Sequence, residues 1–252
     1  MQKLIVPLNA FDRVEVLERG QISFIKLIAE SGAFGVEIRR ELFTEKELPL
    51  ENLKQEIEKH NLFTVYSAPI ECWNENHQLN EQELAVIFEE GKRLGAKWIK
   101  VSLGHYREEQ SHLGRLDSFL KQHPHVQLFV ENDQTLYGGN IANLRSFFES
   151  ASELGVPVRM TFDAGNWYYT NQNLDEALQQ LSQYVHYLHL KQVNLENGEL
   201  VTLPLQKNIG HSWEKVLNSL PSHLVKALEF PIVPKERTKE FIQMMTESEA
   251  LA

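Results

Sequence analysis

The chain has 252 residues, of which 42% are hydrophobic, and it carries a formal net charge of −10. This acidic balance argues against tight, non-specific binding to nucleic acid or to anionic membranes, although local cations can still line a pocket for an anion. No apolar run approaches the roughly 18 residues that are typical of a membrane span. The single cysteine, Cys72, excludes an intrachain disulfide and is consistent with a cytoplasmic protein.

Short β-rich runs alternate along the chain with longer amphipathic stretches. The runs predict eight strands, in chain order Lys3–Leu8, Gly35–Arg39, Phe63–Ser67, Trp98–Leu103, Gln127–Glu131, Val158–Asp163, Tyr184–Leu190 and Ala227–Pro231. Eight runs over 252 residues give about one βα unit per 31 residues, which is typical of a (β/α)8 TIM barrel of the α/β class. We therefore predict one such domain over residues 1–252.

Helical periodicity supports the same architecture. Apolar residues recur at helical spacing in four stretches, residues 22–32, 81–96, 142–155 and 174–185. Gly32 and Gly155 stand where two of these helices would end. A doubly wound open sheet is the alternative architecture, and the lack of a glycine-rich phosphate loop after an early strand disfavours it.

One connection, Val193–Gly210, is longer than a usual βα loop. It contains Asn197-Gly198 between alternating apolar residues, which predicts a small hairpin. The hairpin would follow the seventh strand and stand above the mouth of the barrel. It would act either as a lid or as a decoration without a function.

Four side chains of metal-binding type stand at the ends of four successive predicted strands. They are Glu131, Asp163, His189 and Glu229. Each alone has an ordinary explanation, as a solvated loop glutamate, an aspartate in a turn or a histidine in the core. Because the strand C-termini of a barrel converge, three carboxylates would meet there, and burying them without a cation or protons would be costly. We therefore predict one divalent ion, Mn, Mg, Co or Zn, at the mouth.

Other polar residues could face the same mouth and contact a substrate. Glu37 and Arg39 share one face of the second strand, where the alternative is a surface ion pair at the rim. Lys100 lies inside the fourth strand and would either bind an anionic substrate or occupy an exposed edge. His105 follows that strand, and Lys191 lies two residues beyond the histidine of the ligand set, on the same strand face.

Two pairs of residues just beyond strand ends have alternative roles. Trp73 and Trp167 could pack against the apolar face of a sugar or could close the core. Asn132 and Asp133 could fix the preceding glutamate or bind hydroxyl groups.

Six segments carry a resemblance to a known family: GVEIRREL, VYSAPIECW, KVSLGHY, VENDQT, FDAGNW and ALEFP. With the four-strand ligand set, they resemble the xylose isomerase-like TIM-barrel superfamily of sugar isomerases and epimerases over essentially the whole chain. Within that superfamily, they are similar to an epimerase encoded in bacterial 2-ketogluconate-utilisation operons.

The resemblance implies a divalent-metal-dependent isomerase or epimerase that transfers a proton next to the carbonyl of a keto sugar or keto sugar acid. It implies that Glu131 and Glu229 both bind the metal and move the proton, whereas Asp163 and His189 are ligands only. Many members carry a histidine three positions after the strand-six aspartate, where this chain has Asn166. An amide can hydrogen-bond a substrate hydroxyl but cannot act as a cation or a general acid, which suggests a different substrate end group.

Other functions stay open on the same residues. A metal-dependent dehydratase of a keto acid would need the same proton abstraction, and a non-catalytic sugar-acid-binding protein would need only the pocket. An endonuclease acting at abasic sites would need more histidine ligands and a basic groove, which the net charge of −10 argues against. The expected partner is a small sugar or sugar acid rather than nucleic acid or a membrane, and a homo-oligomer is open.

Overall fold

The computed structural model describes residues 3–44, 47–206 and 212–250. Within these residues, eight parallel strands form a closed barrel. The barrel strands are β1 (Leu4–Pro7), β2 (Gly35–Arg39), β3 (Phe63–Trp73), β4 (Trp98–Gly104), β5 (Gln127–Glu131), β6 (Val158–Asp163), β7 (Val185–Leu190) and, after a separate hairpin of β8 (Gln192–Glu196) and β9 (Glu199–Leu203), β10 (Val225–Leu228). The (β/α)8 prediction is confirmed, and the open sheet is excluded because the first strand pairs with the last.

The strand boundaries follow the sequence pattern closely, with a difference at the last strand. The eighth predicted strand, Ala227–Pro231, is displaced: β10 ends before Glu229. The backbone N–H of Glu229 still donates to the carbonyl of Leu190 at 3.0 Å. The glutamate therefore stays at the C-terminal edge of the barrel although it lies outside the strand. Strand β3 also continues to Trp73, beyond its predicted end at Ser67, and its pairing with β4 shifts register between Ser67 and Glu71.

Helices surround the barrel in the order that a βα repeat requires. Those in the described residues are α1 (Arg13–Arg19), α2 (Ile25–Glu30), α3 (Leu50–Lys59), α4 (Glu81–Leu94), α5 (Leu113–Gln122), α6 (Ile141–Glu153), α7 (Asn166–Tyr169), α8 (Leu174–Leu181), α9 (Ser212–Ser219) and α10 (Thr238–Ala250). The sequence signals act as expected at their ends: Asn173 caps α8 by accepting two backbone N–H groups, and Gly95 ends α4 in the left-handed conformation. Across the described ranges, no helix has the length and apolar character needed to cross a membrane.

An apolar layer fills the lower, N-terminal part of the barrel interior. Its buried members include Ile5, Val65, Phe129 and Tyr187, which come from alternate strands, and Ala227 from β10, which lies between β7 and β1. A second and larger buried cluster lies between the strands and the helices. The barrel is therefore a packed core rather than a pore, as expected for this architecture.

The two-residue period of a strand places the ligand set directly above this apolar layer. On β5, Glu131 lies two residues after Phe129, and on β7, His189 lies two residues after Tyr187. Alternate side chains of a strand share a face, so Glu131 and His189 each point into the barrel above a buried aromatic residue. The alternation of side chains along β5 and β7 thus places apolar residues lower in the barrel and polar residues at its mouth.

The predicted hairpin is confirmed. Strands β8 and β9 pair in antiparallel register around Asn197 and Gly198, which both have positive φ, at 52° and 87°. Positive φ at both central residues is the requirement of a two-residue type I′ turn. The hydroxyl of Tyr169 lies 3.2 Å from Thr202 Oγ1, which ties α7 to β9. The last residues of the long segment, 207–210, lie outside the described residues.

Candidate metal centre

The four predicted ligands lie together at the mouth of the barrel. Glu131, Asp163, His189 and Glu229 each offer one atom, and these atoms all lie within 4.8 Å of one another. Nδ1 of His189 is 2.9 Å from Glu229 Oε2, 3.1 Å from Glu131 Oε1 and 3.9 Å from Asp163 Oδ2. Among the residues that the structure describes, this is the only such group of three or more His, Cys, Asp or Glu side chains.

The donor set suits a divalent cation. Glu131 Oε1 and Asp163 Oδ2 are buried oxygens that accept no well-directed hydrogen bond from the described residues. Lys191 Nζ lies near Asp163 Oδ2 and His189 Nδ1 lies near Glu131 Oε1, but buried oxygens without a well-directed donor are rare in folded proteins, and a metal ion would satisfy both. Three carboxylates and one imidazole are oxygen and nitrogen donors of the kind that Mn²⁺, Mg²⁺, Co²⁺ and Zn²⁺ accept. The residues present therefore fit the predicted ion.

A network of hydrogen bonds orients Asp163. The side-chain amide of Asn132 donates to the Asp163 carbonyl at 2.9 Å, and its oxygen accepts the Asp163 N–H at 2.7 Å. The backbone N–H groups of Gly165 and Asn166 both donate to Asp163 Oδ1. Only Oδ2 is left to face the centre. Asn166 in turn donates to the Asn132 carbonyl and accepts from Gln134, so it links the loops after β5 and β6.

Glu37 orients the imidazole of His189 from below. Its Oε2 lies 3.0 Å from His189 Nε2 and accepts the hydroxyl of Tyr187 at 2.8 Å. Because a carboxylate only accepts, Nε2 keeps its proton and donates to Glu37, and Nδ1 is the ring nitrogen that faces the three carboxylates. This is the common arrangement of a carboxylate behind a metal-binding histidine.

Two buried lysines balance the negative charge of the three carboxylates. Nζ of Lys191 lies 2.6 Å from Asp163 Oδ2 and 3.1 Å from Glu229 Oε2. Nζ of Lys100 lies 2.6 Å from Glu131 Oε2. Each of the three carboxylates is thus in contact with an ammonium group as well as with His189.

Arg39 is a third cation that balances the negative charge of carboxylates at the centre. Its Nη1 contacts Glu37 Oε1 at 2.9 Å and Glu229 Oε1 at 3.0 Å, and its Nε donates to Glu41 Oε1 at 2.8 Å. The two buried partners show that Arg39 and Glu37 are not a surface ion pair at the rim. Burial acts to lower the pKa of Arg39, but the surrounding carboxylates raise it above its ordinary value.

The neighbouring charges determine the protonation state of His189. Burial and Lys100 lower the pKa of His189, but Glu229, Glu37 and Glu131 outweigh them and raise it to about 9. The metal-free imidazole is therefore cationic at neutral pH, and a cation bound to its Nδ1 would have to displace a proton.

The pKa values of Asp163 and Glu229 shift in opposite directions. Burial raises the pKa of Asp163 to about 7, against the opposing effect of Lys191. Burial acts in the same direction on Glu229, but Lys191 and His189 hold the pKa of that carboxyl well below its usual range. Such divergent values in neighbouring groups are typical of functional sites.

A cavity of about 470 Å³ opens onto this centre. Of the predicted substrate contacts, Arg39, Asn166 and Lys191 line it. Glu37 and Lys100 do not; they are buried beneath the ligands, where they contact each other at 3.5 Å. Lys100 is thus neither at an exposed edge nor on the cavity wall.

His105 belongs to a different cluster at the rim. Its ring stacks on Tyr137, with 3.6 Å between the ring centroids, and its Nε2 lies 3.8 Å from Glu71 Oε2. The Tyr137 hydroxyl donates to Glu71 Oε1 at 2.8 Å. The structure therefore does not bring His105 together with the residues that line the cavity.

The two tryptophans close the core. Trp73 and Trp167 are both fully buried, Trp73 against Tyr106 and Trp167 against Phe162. The structure favours this role over contact with a sugar.

Several residues at the centre were not among the predicted contacts. Asn9 donates to Glu229 Oε1 at 3.0 Å, and Gln134, Thr202 and Phe230 line the cavity. Asn9 lies just beyond the end of β1, so the strand-end rule that selected the four ligands could also have selected it. Thr202 carries no such signal, because it reaches the cavity only through the fold of the hairpin.

No family model matches the chain, and no curated protein matches it by sequence. Solved structures match its fold. A xylose isomerase domain containing protein from Salmonella typhimurium LT2 superposes with a TM-score of 0.74 at 13% identity, over 98% of this chain and 97% of that one. L-ribulose 3-epimerase gives a TM-score of 0.69 at 12% identity, over 99% and 96% of the two chains.

A dehydratase shares the same fold. A probable 3-DHS dehydratase from Bacillus anthracis gives a TM-score of 0.66 at 13% identity, over 98% of this chain and 99% of that one. At such identities the likeness establishes the (β/α)8 barrel fold alone, and function has to be argued from the site.

Proposed function

We propose that the protein is a divalent-metal-dependent sugar isomerase or epimerase of the xylose isomerase-like superfamily, which transfers a proton next to a substrate carbonyl. One observation carries the proposal. Two glutamates, Glu131 on β5 and Glu229 after β10, face a shared centre with Asp163 and His189 at the floor of a cavity. A bound divalent ion would polarise the carbonyl and an adjacent hydroxyl, which acidifies the C–H bond between them.

The two glutamates are held in a way that suits proton transfer. Each has one oxygen near His189 Nδ1, while its other oxygen accepts from a fixed donor: Lys100 for Glu131, and Asn9 with Arg39 for Glu229. Strands β6 and β7 lie between them in the barrel, so they approach the cavity from different sides. One glutamate can remove a proton from one face of the substrate, and the other can return it to the opposite face.

The cavity supports a small polyhydroxylated substrate. Its volume of about 470 Å³ falls within the range of small-molecule sites. The amides of Asn9, Gln134 and Asn166 and the hydroxyl of Thr202 can hydrogen-bond sugar hydroxyls. Because Lys191 also lines the wall, a keto sugar acid fits as well as a keto sugar, and the proposed substrates include acids related to 2-ketogluconate.

Proton exchange with heavy water tests this function. The metal-reconstituted protein would be incubated in D2O with a panel of ketoses and keto sugar acids, and the products followed by NMR. We expect deuterium at the carbon next to the carbonyl of one substrate, together with a new epimer or aldose, and no exchange after treatment with a chelator.

Other outcomes would redirect the assignment. Loss of water from the substrate would identify a dehydratase on the same barrel. Binding of a sugar acid without exchange or conversion, with each of the four metals, would contradict an enzymatic role. An endonuclease is not favoured, since one histidine lies in the centre and the chain has a net charge of −10.

A further inference from the structure

The ammonium group of Lys191 contacts two carboxylate oxygens that would also bind a metal ion. Its ammonium contacts Asp163 Oδ2 and Glu229 Oε2, at 2.6 and 3.1 Å. The same Glu229 oxygen lies 2.9 Å from His189 Nδ1, and Asp163 Oδ2 is the oxygen left free by the backbone hydrogen bonds to Oδ1. The lysine therefore binds the very oxygens that face the centre.

The surrounding structure has room for the buried side chain of Lys191. Its side chain is only 8% exposed, yet it lines the cavity. Gly165 leaves room for its stem: a Cβ at that position would lie 2.5 Å from Lys191 Cγ and 2.8 Å from its Cε. Lys191 also follows His189 by two residues, so the two side chains rise on the same face of the chain. A buried, fitted ammonium of this kind is part of the centre rather than a solvated surface charge.

We propose that Lys191 is an exchangeable counter-ion of the metal centre, which neutralises Asp163 and Glu229 in the metal-free protein and leaves them when a divalent cation binds. The inference rests on the proposed function, because it assumes the same ion at the same residues. Its physical basis is repulsion: an ammonium and a divalent cation on the same two oxygens would repel strongly in a buried site.

The consequence concerns the substrate. Because Lys191 lines the cavity, an ammonium released from Asp163 enters the space that a substrate would occupy. The loaded protein would then present a cationic donor to a substrate oxygen, whereas the metal-free protein keeps that donor paired. Metal binding and substrate recognition are coupled through one side chain.

The test is the dissociation constant for Mn²⁺, measured by titration without substrate. Lys191→Met removes the charge and keeps an unbranched apolar side chain, and we expect it to bind Mn²⁺ roughly tenfold or more tightly than the unmodified chain. Lys121→Met is the matched control. Lys121 lies on α5, is 71% exposed and pairs with Asp117, so its loss changes the net charge equally and should leave the constant unchanged.

A second variant keeps the ammonium but moves it. Gly165 has φ of −89°, which alanine tolerates, and its new methyl group would press on Lys191 and on Val193. We expect Gly165→Ala also to tighten Mn²⁺ binding, which covers the case in which Lys191→Met does not fold. Equal or weaker binding by a folded Lys191→Met protein would overturn the inference alone, whereas an unmodified chain that binds none of Mn²⁺, Mg²⁺, Co²⁺ and Zn²⁺ would overturn the proposed function.

Discussion

Replacing Glu131 or Glu229 by glutamine is expected to lower kcat by roughly 10²- to 10⁴-fold, the usual contribution of a positioned acid or base. Glutamine keeps the length of the side chain and one oxygen that can face the metal, but it cannot accept a proton. The oxygens that face His189 lie 3.1 and 2.9 Å from its Nδ1, so both residues face the same centre. Steady-state kinetics at saturating Mn²⁺ would measure the loss.

The pattern of deuterium exchange separates the two roles. If one glutamate removes the proton and the other returns it, one variant should still exchange the substrate proton with D2O without forming product. Glu149→Gln provides a control, because Glu149 lies half exposed on α6 beside Arg145 and should leave kcat unchanged. Full activity in both Glu131→Gln and Glu229→Gln would show that other groups transfer the proton.

Replacing Glu37 by glutamine is expected to cost about 3–5 kcal/mol of folding free energy in the metal-free protein, the range for breaking a buried ion pair. Glu37 is fully buried and contacts His189, Tyr187, Arg39 and Lys100. Its removal leaves buried cations with fewer partners. Burial acts to raise the pKa of Glu37, but Lys100 and His189 hold it well below its usual range, so the charged form is the one that is lost.

The same substitution should weaken divalent-metal binding roughly 10- to 100-fold, because the tautomer of His189 is no longer fixed by a carboxylate. Denaturant unfolding and metal titration would measure the two effects. Tyr187→Phe is the matched control: it removes a single O–H donor from Glu37 at the cost of about 1 kcal/mol and keeps every charge. If Glu37→Gln resembled Tyr187→Phe in both measurements, Glu37 would not position the histidine.

The fold and the positions of the four candidate ligands could be predicted because they depend on short-range patterns. Alternation along each strand determines which side chains enter the barrel, and the common direction of the strands brings their ends to one mouth. Glu131 and Asp163 therefore followed from strand ends alone. Glu229 was placed correctly at the mouth even though β10 ends one residue earlier.

The depth of each polar residue could not be read from the same patterns. Glu37, Lys100 and Arg39 all point toward the barrel interior, but only Arg39 reaches the cavity, because the other two are buried beneath the ligands. His105 follows a strand end as the ligands do, yet its stacking on Tyr137 holds it at the rim. Such differences depend on packing between loops that are distant in sequence.

The most direct test of the metal centre is the divalent metal content per chain, determined by elemental analysis for the unmodified protein and for Asp163→Ala. Asp163 is fully buried and offers Oδ2 to the centre, so its loss removes one ligand and leaves Lys191 without its nearest carboxylate. We expect about one ion per chain, which the variant loses. An unmodified chain that retains no ion after reconstitution with Mn²⁺, Mg²⁺, Co²⁺ or Zn²⁺ would contradict a metal centre at these four residues.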